Sequence, residues 1–168
     1  AKRRISTLAR KHAKQLLEQG ESGMALKVYR QLIKQEPNDA IAHRRIIALM
    51  AELGRQDQAE ATYRDKTEAN TDDGLYMYLY GLTLTYIEPP SYFDEAAEII
   101  KESLVINSQL PFAHQTLGWI YEQLAKLEKE QDILHDAAES YQTALRLLDV
   151  QAFPRQEADI LLNLGNVH

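Results

Sequence analysis

The chain has no cysteine, and only seven glycines and five prolines in 168 residues. Without cysteine there is no disulfide framework and no thiolate metal site, although the compartment stays open. So few glycines and prolines supply few turns, which argues against an all-β fold and for long helices. Positive charge is also short. Nineteen Lys and Arg stand against 25 Asp and Glu, a formal net charge of −6. A nucleic-acid partner is not expected, because phosphate binding needs a net basic face. The longest apolar run, residues 74–87, is interrupted by tyrosines and threonines. It falls short of the roughly 20 residues that span a bilayer. No apolar segment of signal-peptide type follows the opening AKRRISTLARKH. The sequence starts without Met and stops in mid-pattern at LLNLGNVH. The expectation is a fragment of a larger protein, cytoplasmic in this segment, with room for an anchor or targeting segment outside it.

Motifs of catalysis are equally scarce. No G-x-G-x-x-G or Walker sequence occurs, and no serine sits in a nucleophile-elbow context. The histidines are His12, His43, His114, His135 and His168, and no pair has a zinc-ligand spacing. Carboxylates cluster at Glu128, Glu130 and Asp132 and at Asp72-Asp73. They read as solvated helix faces and a helix cap, since acid–base work needs a dry, shaped pocket. No metal, cofactor or catalytic residue is expected, and the chain reads as a non-enzyme.

What is present is repetition. Glu18, Gly20, Ala25, Tyr29 and Arg30 recur 34 residues later as Glu52, Gly54, Ala59, Tyr63 and Arg64. Each unit reads as two helices. KHAKQLLEQG ends at Gly20, a helix-stopping residue. In ESGMALKVYRQLIKQEP, Met24, Ala25, Val28, Tyr29, Leu32 and Ile33 share one helical face, and Pro37 closes it. The third unit pairs GLYMYLYGLTLTYI, a helix over 74–87, with SYFDEAAEIIKESLVI, where Ser91 and Asp94 have capping-box spacing. The alternation of Tyr76, Tyr78 and Tyr80 suits a strand too, but the repeat register requires a helix there.

The units resemble the tetratricopeptide repeat (TPR) family, whose pattern is W-x2-L-G-x2-Y, then a small residue, an aromatic and a closing proline. Leu117, Gly118 and Tyr121 of LGWIY hold the L, G and Y places. Leu164 and Gly165 repeat two of them, with His168 in the Tyr place. Ala25 and Tyr29, Ala59 and Tyr63, and Ala137 and Tyr141 fit the second helix. The Trp place instead holds Ala9, His43, Met77 and His114, and the closing proline is replaced by Thr71, Ser108 and Asp149. Unit three carries extra residues at EPPSY, LAKLEKEQDILHDA lengthens unit four, and QAFPRQ delays the fifth. The resemblance implies an all-α, right-handed solenoid of antiparallel helix pairs. Its units are residues 6–39, 40–73, 74–110, 111–157 and a partial 158–168. His43 and His114, at a repeated packing place, are expected to be structural.

In that family the first helices line a concave groove. Carried over by position, the lining is Arg10 and Lys14; then Ile41, Arg44, Ala48, Ala51 and Glu52; then Leu75, Tyr78, Leu82, Thr85 and Tyr86. Unit four adds Phe112, Gln115, Trp119, Glu122 and Gln123, and the partial fifth Asp159, Leu162 and Asn166. The expected binding set is Arg10, Lys14, Arg44, Tyr78, Leu82, Tyr86, Gln115, Trp119 and Asn166. The carboxylate clamp of chaperone-binding members is absent or altered, since Arg45 replaces an asparagine and a leucine fills a basic place. A basic entrance leading to an aromatic middle suits a protein or peptide with apolar anchors and acidic flanks. Tyr78, Tyr86 and Trp119 have a second placement open to them, packed between helices, and Tyr80 is expected in the core.

Two other roles stand beside that scaffold: a self-association module, or the regulatory segment of a larger enzyme or membrane-associated complex. Weak self-association is expected at the open C-terminal end, where Ile160, Leu161 and Leu164 lack a covering helix. The basic start, Lys2 to Lys14, reads as an amphipathic first helix, or as a contact for anionic lipid or an acidic partner.

Overall fold

Gly20 and Gly54, thirty-four residues apart, end two helices by one mechanism. The structure is a computed structural model that describes residues 1–148 and residue 159. In it both glycines take positive φ, 77° and 74°, where a Cβ would be strained. Glu21 N donates to Leu16 O at 2.8 Å and Gly20 N to Leu17 O at 3.1 Å. Arg55 N and Gly54 N repeat this on Met50 O, at 2.7 Å, and Ala51 O, at 3.0 Å. This Schellman arrangement satisfies the last carbonyls of each helix. The caps at the other end repeat as well. Asp39 accepts from Ala42 N at 3.0 Å, and Asp73 from Leu75 N at 2.9 Å.

Eight helices follow among the described residues, which contain no strand. They are α1 (Lys2–Glu18), α2 (Ser22–Gln35), α3 (Ala40–Glu52), α4 (Gln56–Ala69), α5 (Gly74–Leu84), α6 (Phe93–Ile106), α7 (Pro111–Glu128) and α8 (Gln131–Leu147). Each packs on the next in chain order, with short connections, giving an all-α solenoid of antiparallel helix pairs. Pro111 opens α7, where its missing N–H leaves no intrahelical bond unmade.

The apolar faces merge into two linked cores that meet at α3 and α4. Ala13, Leu16, Leu26, Tyr29, Leu32, Ile46 and Met50 fill the first. Ile47, Tyr63, Tyr78, Leu79, Phe93, Ile100, Ile120 and Tyr141 belong to the second. Small residues bring the helices of a pair together. A Cβ on Gly81 would lie 2.8 Å from Ile100 Cγ1, and one on Gly118 would lie 2.9 Å from Tyr141 Cδ1.

Several local expectations need correction. The helix expected over 74–87 ends at Leu84. Beyond it Thr85, Tyr86 and Ile87 donate to carbonyls three residues back, a tighter 3₁₀-type winding. Glu88 then takes a positive φ of 40°, ahead of the cis Pro89–Pro90 bond. Ser91 is caught in that turn, donating its N–H to Glu88 O at 2.9 Å. It caps nothing: α6 starts at Phe93 after Tyr92 with no side-chain cap. Asp94 instead sits in the first turn with Glu95, where negative charge suits the helix dipole. Tyr80 packs on the core but is only half-buried. The open apolar end expected at Ile160, Leu161 and Leu164 lies outside the described residues.

Candidate functional site

Alternate helices turn the same side of the solenoid outward, and α1, α3, α5 and α7 line three adjoining hollows there. The first, about 540 Å3, is bounded by Arg10, Lys14, Leu17, Glu18, Tyr29, Ile41 and Arg45. Ile41 and Arg45 also border the second, about 230 Å3, with Arg44, Ala48, Leu82, Tyr86, Gln115 and Asp159. Arg44, Leu82, Tyr86 and Gln115 continue into the third, about 250 Å3, which ends at Thr85, Thr116 and Trp119. Shared walls make these one trough across four helices.

The helix register explains which side chains reach it. Arg44 and Ala48 are one turn apart on α3, and Gln115 and Trp119 one turn apart on α7, so each pair shares a face. Leu82 is buried and forms the floor, while Trp119 and Tyr86 are each 37% exposed. Trp119 stands edge-on to Phe93 at 5.4 Å, which fixes the inner side of its ring. The Arg44 guanidinium lies 4.6 Å from the centre of the Phe112 ring. Burial raises the Tyr86 phenol pKa, and the cations of Arg44 and Arg45 oppose that rise. Phenol and guanidinium groups therefore crowd the same stretch of trough. Gln115 Oε1 is buried there without a hydrogen-bond partner among the described residues.

Seven of the nine residues expected in the groove border this trough: Arg10, Lys14, Arg44, Leu82, Tyr86, Gln115 and Trp119. Tyr78 does not. It has no exposed surface, and its hydroxyl meets Thr116 Oγ1 at 2.8 Å inside the core. A full turn separates it from Leu82, but at Tyr78 the chain is already covered by α7, so the ring fills the α5–α7 seam. Burial raises its pKa above the ordinary phenol value. Asn166 lies outside the described residues, as does Leu162.

Arg10 borders the trough with its charge already engaged. It bonds Glu36 at 2.6 Å and also pairs with Asp39, tying α1 to the α2–α3 turn. Lys14 and Arg45 have no carboxylate partner among the described residues. Arg45 stands outside the expected set, and its place next to Arg44 in the α3 register is the signal that could have found it. Glu122, Glu52 and Phe112 also depart from the positional reading. Glu122 is buried, accepting from Tyr141 Oη at 3.0 Å and from Lys126 at 3.1 Å. Glu52 accepts from Ser22 Oγ at 3.0 Å, and Phe112 is buried in the core.

His43 is structural. Its Nε2 reaches Pro37 O at 2.7 Å, so that nitrogen carries the proton and Nδ1 accepts from Tyr63 Oη at 2.7 Å. Burial lowers its pKa below the ordinary histidine value. No group of three His, Asp or Glu side chains that could hold a metal ion occurs among the described residues. No described helix is long and apolar enough to cross a membrane.

Solved structures now place the fold. A thermophilic TPR protein of Thermus thermophilus, TTC0263, superposes with a TM-score of 0.53 over 96% of this chain and 98% of that one, at 16% identity. The PilF protein of Pseudomonas aeruginosa superposes with a TM-score of 0.56 over 99% of this chain and 68% of that one, also at 16% identity. The fold is a TPR-like α-solenoid. No family model and no curated protein matches the sequence. At such identity the likeness extends to the path of the backbone and not to the side chains of the trough, which must be read on their own chemistry.

Proposed function

We propose that the trough holds an extended segment of a protein partner, and that the chain is a non-catalytic interaction scaffold. The observation that carries this is the pairing of half-exposed Trp119 and Tyr86 over the Leu82 floor with Lys14 and Arg45, two cations that form no ion pair among the described residues, with Glu18 and Asp159 bordering the same hollows. Rigid aromatic rings give contact area at little entropic cost, and they dominate interface energetics. The preferred segment has an apolar anchor at the Trp119 end and acidic residues toward Lys14.

Trp119 is the sole tryptophan, so its fluorescence reports on the trough directly. Peptides selected from a displayed library should shift that emission on titration. Trp119→Ala should weaken them by about 2 kcal/mol, roughly thirtyfold. Selected peptides that leave the emission unchanged and bind Trp119→Ala as tightly would sink the reading. Sedimentation across a concentration range separates this role from self-association.

A further inference from the structure

A second cavity opens on another side of the molecule, between α2 and α4. It measures about 530 Å3, and its rim carries Lys27, Arg30 and Lys34 from α2 and Lys66 from α4. His43 and Tyr76 line it between these helices. Four cations and no carboxylate border it, in a chain where acids outnumber bases. Lys27, Lys34 and Lys66 form no ion pair among the described residues, and the bond resolved for Arg30 is to Met50 Sδ at 3.7 Å. Elsewhere on α4 the charges do pair, as Arg64 does with Glu60 at 3.2 Å. The four cations around the cavity repel one another, and an anion would relieve that repulsion.

We infer that this cleft binds an acidic, extended segment of a protein partner, at a site separate from the trough. The layout favours a chain over a single phosphate. Lys27, Arg30 and Lys34 sit at i, i+3 and i+7 on α2, a stripe about 10 Å long at 1.5 Å rise per residue. In an extended peptide, side chains on one face recur about every 7 Å, so two successive carboxylates on that face fall within the length of the stripe. Lys66 closes the opposite rim, its Nζ 5.4 Å from the centre of the Tyr76 ring. That ring gives the peptide stem an apolar surface within the cationic frame.

The probe is a fluorescein-labelled dodecapeptide of alternating Glu and Ser, with an alternating Lys and Ser control. Anisotropy should show binding of the acidic peptide that weakens with salt, and none of the control. The triple variant Lys27→Glu, Lys34→Glu, Lys66→Glu should bind about tenfold more weakly or worse. The trough pair Lys14→Glu, Arg45→Glu should cost clearly less affinity than the cleft triple, because this peptide lacks the apolar anchor that the trough would need. Hydrogen exchange on the unaltered protein supplies a readout free of folding effects, and peptide should protect residues 27–37 and 63–76. Three results overturn the proposal: no binding of the acidic peptide, protection confined to the trough segments 10–18 and 41–48, or loss of affinity in the trough pair alone. Displacement of the peptide by inorganic phosphate beyond an ionic-strength-matched chloride control would make it a phosphate site instead. Binding to phosphatidylserine vesicles without binding to the peptide would make it a membrane contact, and would equally overturn it.

Discussion

The Tyr78 hydroxyl and Thr116 Oγ1 meet at 2.8 Å with no water-accessible surface on the tyrosine, joining α5 to α7 across the core. A tyrosine so placed is a packing residue with a polar tip that has been matched. Tyr78→Ala should therefore destabilise the fold by about 3–5 kcal/mol, as large-to-small core changes do. Tyr78→Phe should cost about 1–3 kcal/mol, because it leaves the Thr116 hydroxyl unpaired. Urea unfolding followed by helical circular dichroism measures both. A Tyr78→Ala protein as stable as the unaltered one would show that the ring is not in the core.

Trp119 behaves differently. One side of its ring rests against Phe93 and the rest faces the trough. Trp119→Ala should lower stability by only about 1–2 kcal/mol, below the range for a fully buried aromatic. The same urea series reads it, and the order of loss, Tyr78→Ala above Trp119→Ala, is the decisive quantity.

The His43 site makes stability depend on pH. Burial holds its folded pKa below the unfolded value of about 6.5. Below that pH the unfolded chain binds a proton that the folded chain refuses, so unfolding is favoured as pH falls. The melting temperature should drop between about pH 7.5 and 5.5, ahead of carboxylate titration. His43→Gln should be less stable at neutral pH, having lost the bonds to Tyr63 and Pro37, but its melting temperature should be flat over this window. An equal slope in both proteins would move the effect to another group.

Three glycines should respond in opposite directions. Gly118→Ala drives a methyl to within 2.9 Å of the Tyr141 ring, and Gly81→Ala to within 2.8 Å of Ile100 Cγ1. Each should cost about 1–3 kcal/mol through overpacking. Gly23, inside α2, has nothing within 4 Å of an added Cβ. Gly23→Ala should stabilise by up to about 1 kcal/mol through helix propensity. Thermal melts of the three variants test the contrast.

No metal should be needed for folding. No candidate ligand group forms among the described residues, so a chelator should leave the melting temperature unchanged, since a structural metal contributes folding free energy directly.

Much of the backbone is legible in the sequence. The recurrence of Gly20 at Gly54 and of Tyr29 at Tyr63 dictates where helices stop and which face turns inward, because both depend on local geometry and a 3.6-residue period. The sides of α3 and α7 that border the trough are legible for the same reason, at Arg44, Gln115 and Trp119. The α5 end is not. Its apolar run continues through Ile87, yet the helix stops at Leu84 and tightens toward the Pro89–Pro90 turn.

Which tyrosine of the cluster is core and which is surface was decided only by tertiary structure. Tyr78, Tyr80 and Tyr86 share composition and neighbourhood, and helical spacing places a ring on a face without saying what covers that face. Thr116 on α7 covers Tyr78, Tyr80 keeps one side toward solvent, and the turn after α5 frees Tyr86. The charge of Arg10 follows the same logic, taken up by Glu36 and Asp39 across a helix turn. So does the cleft of Lys27, Lys34 and Lys66, whose cations come from two repeats and meet only when those repeats stack. Local pattern determines helices and faces; contacts between units determine burial and charge pairing, because the partners are distant in sequence and close only once the chain has folded.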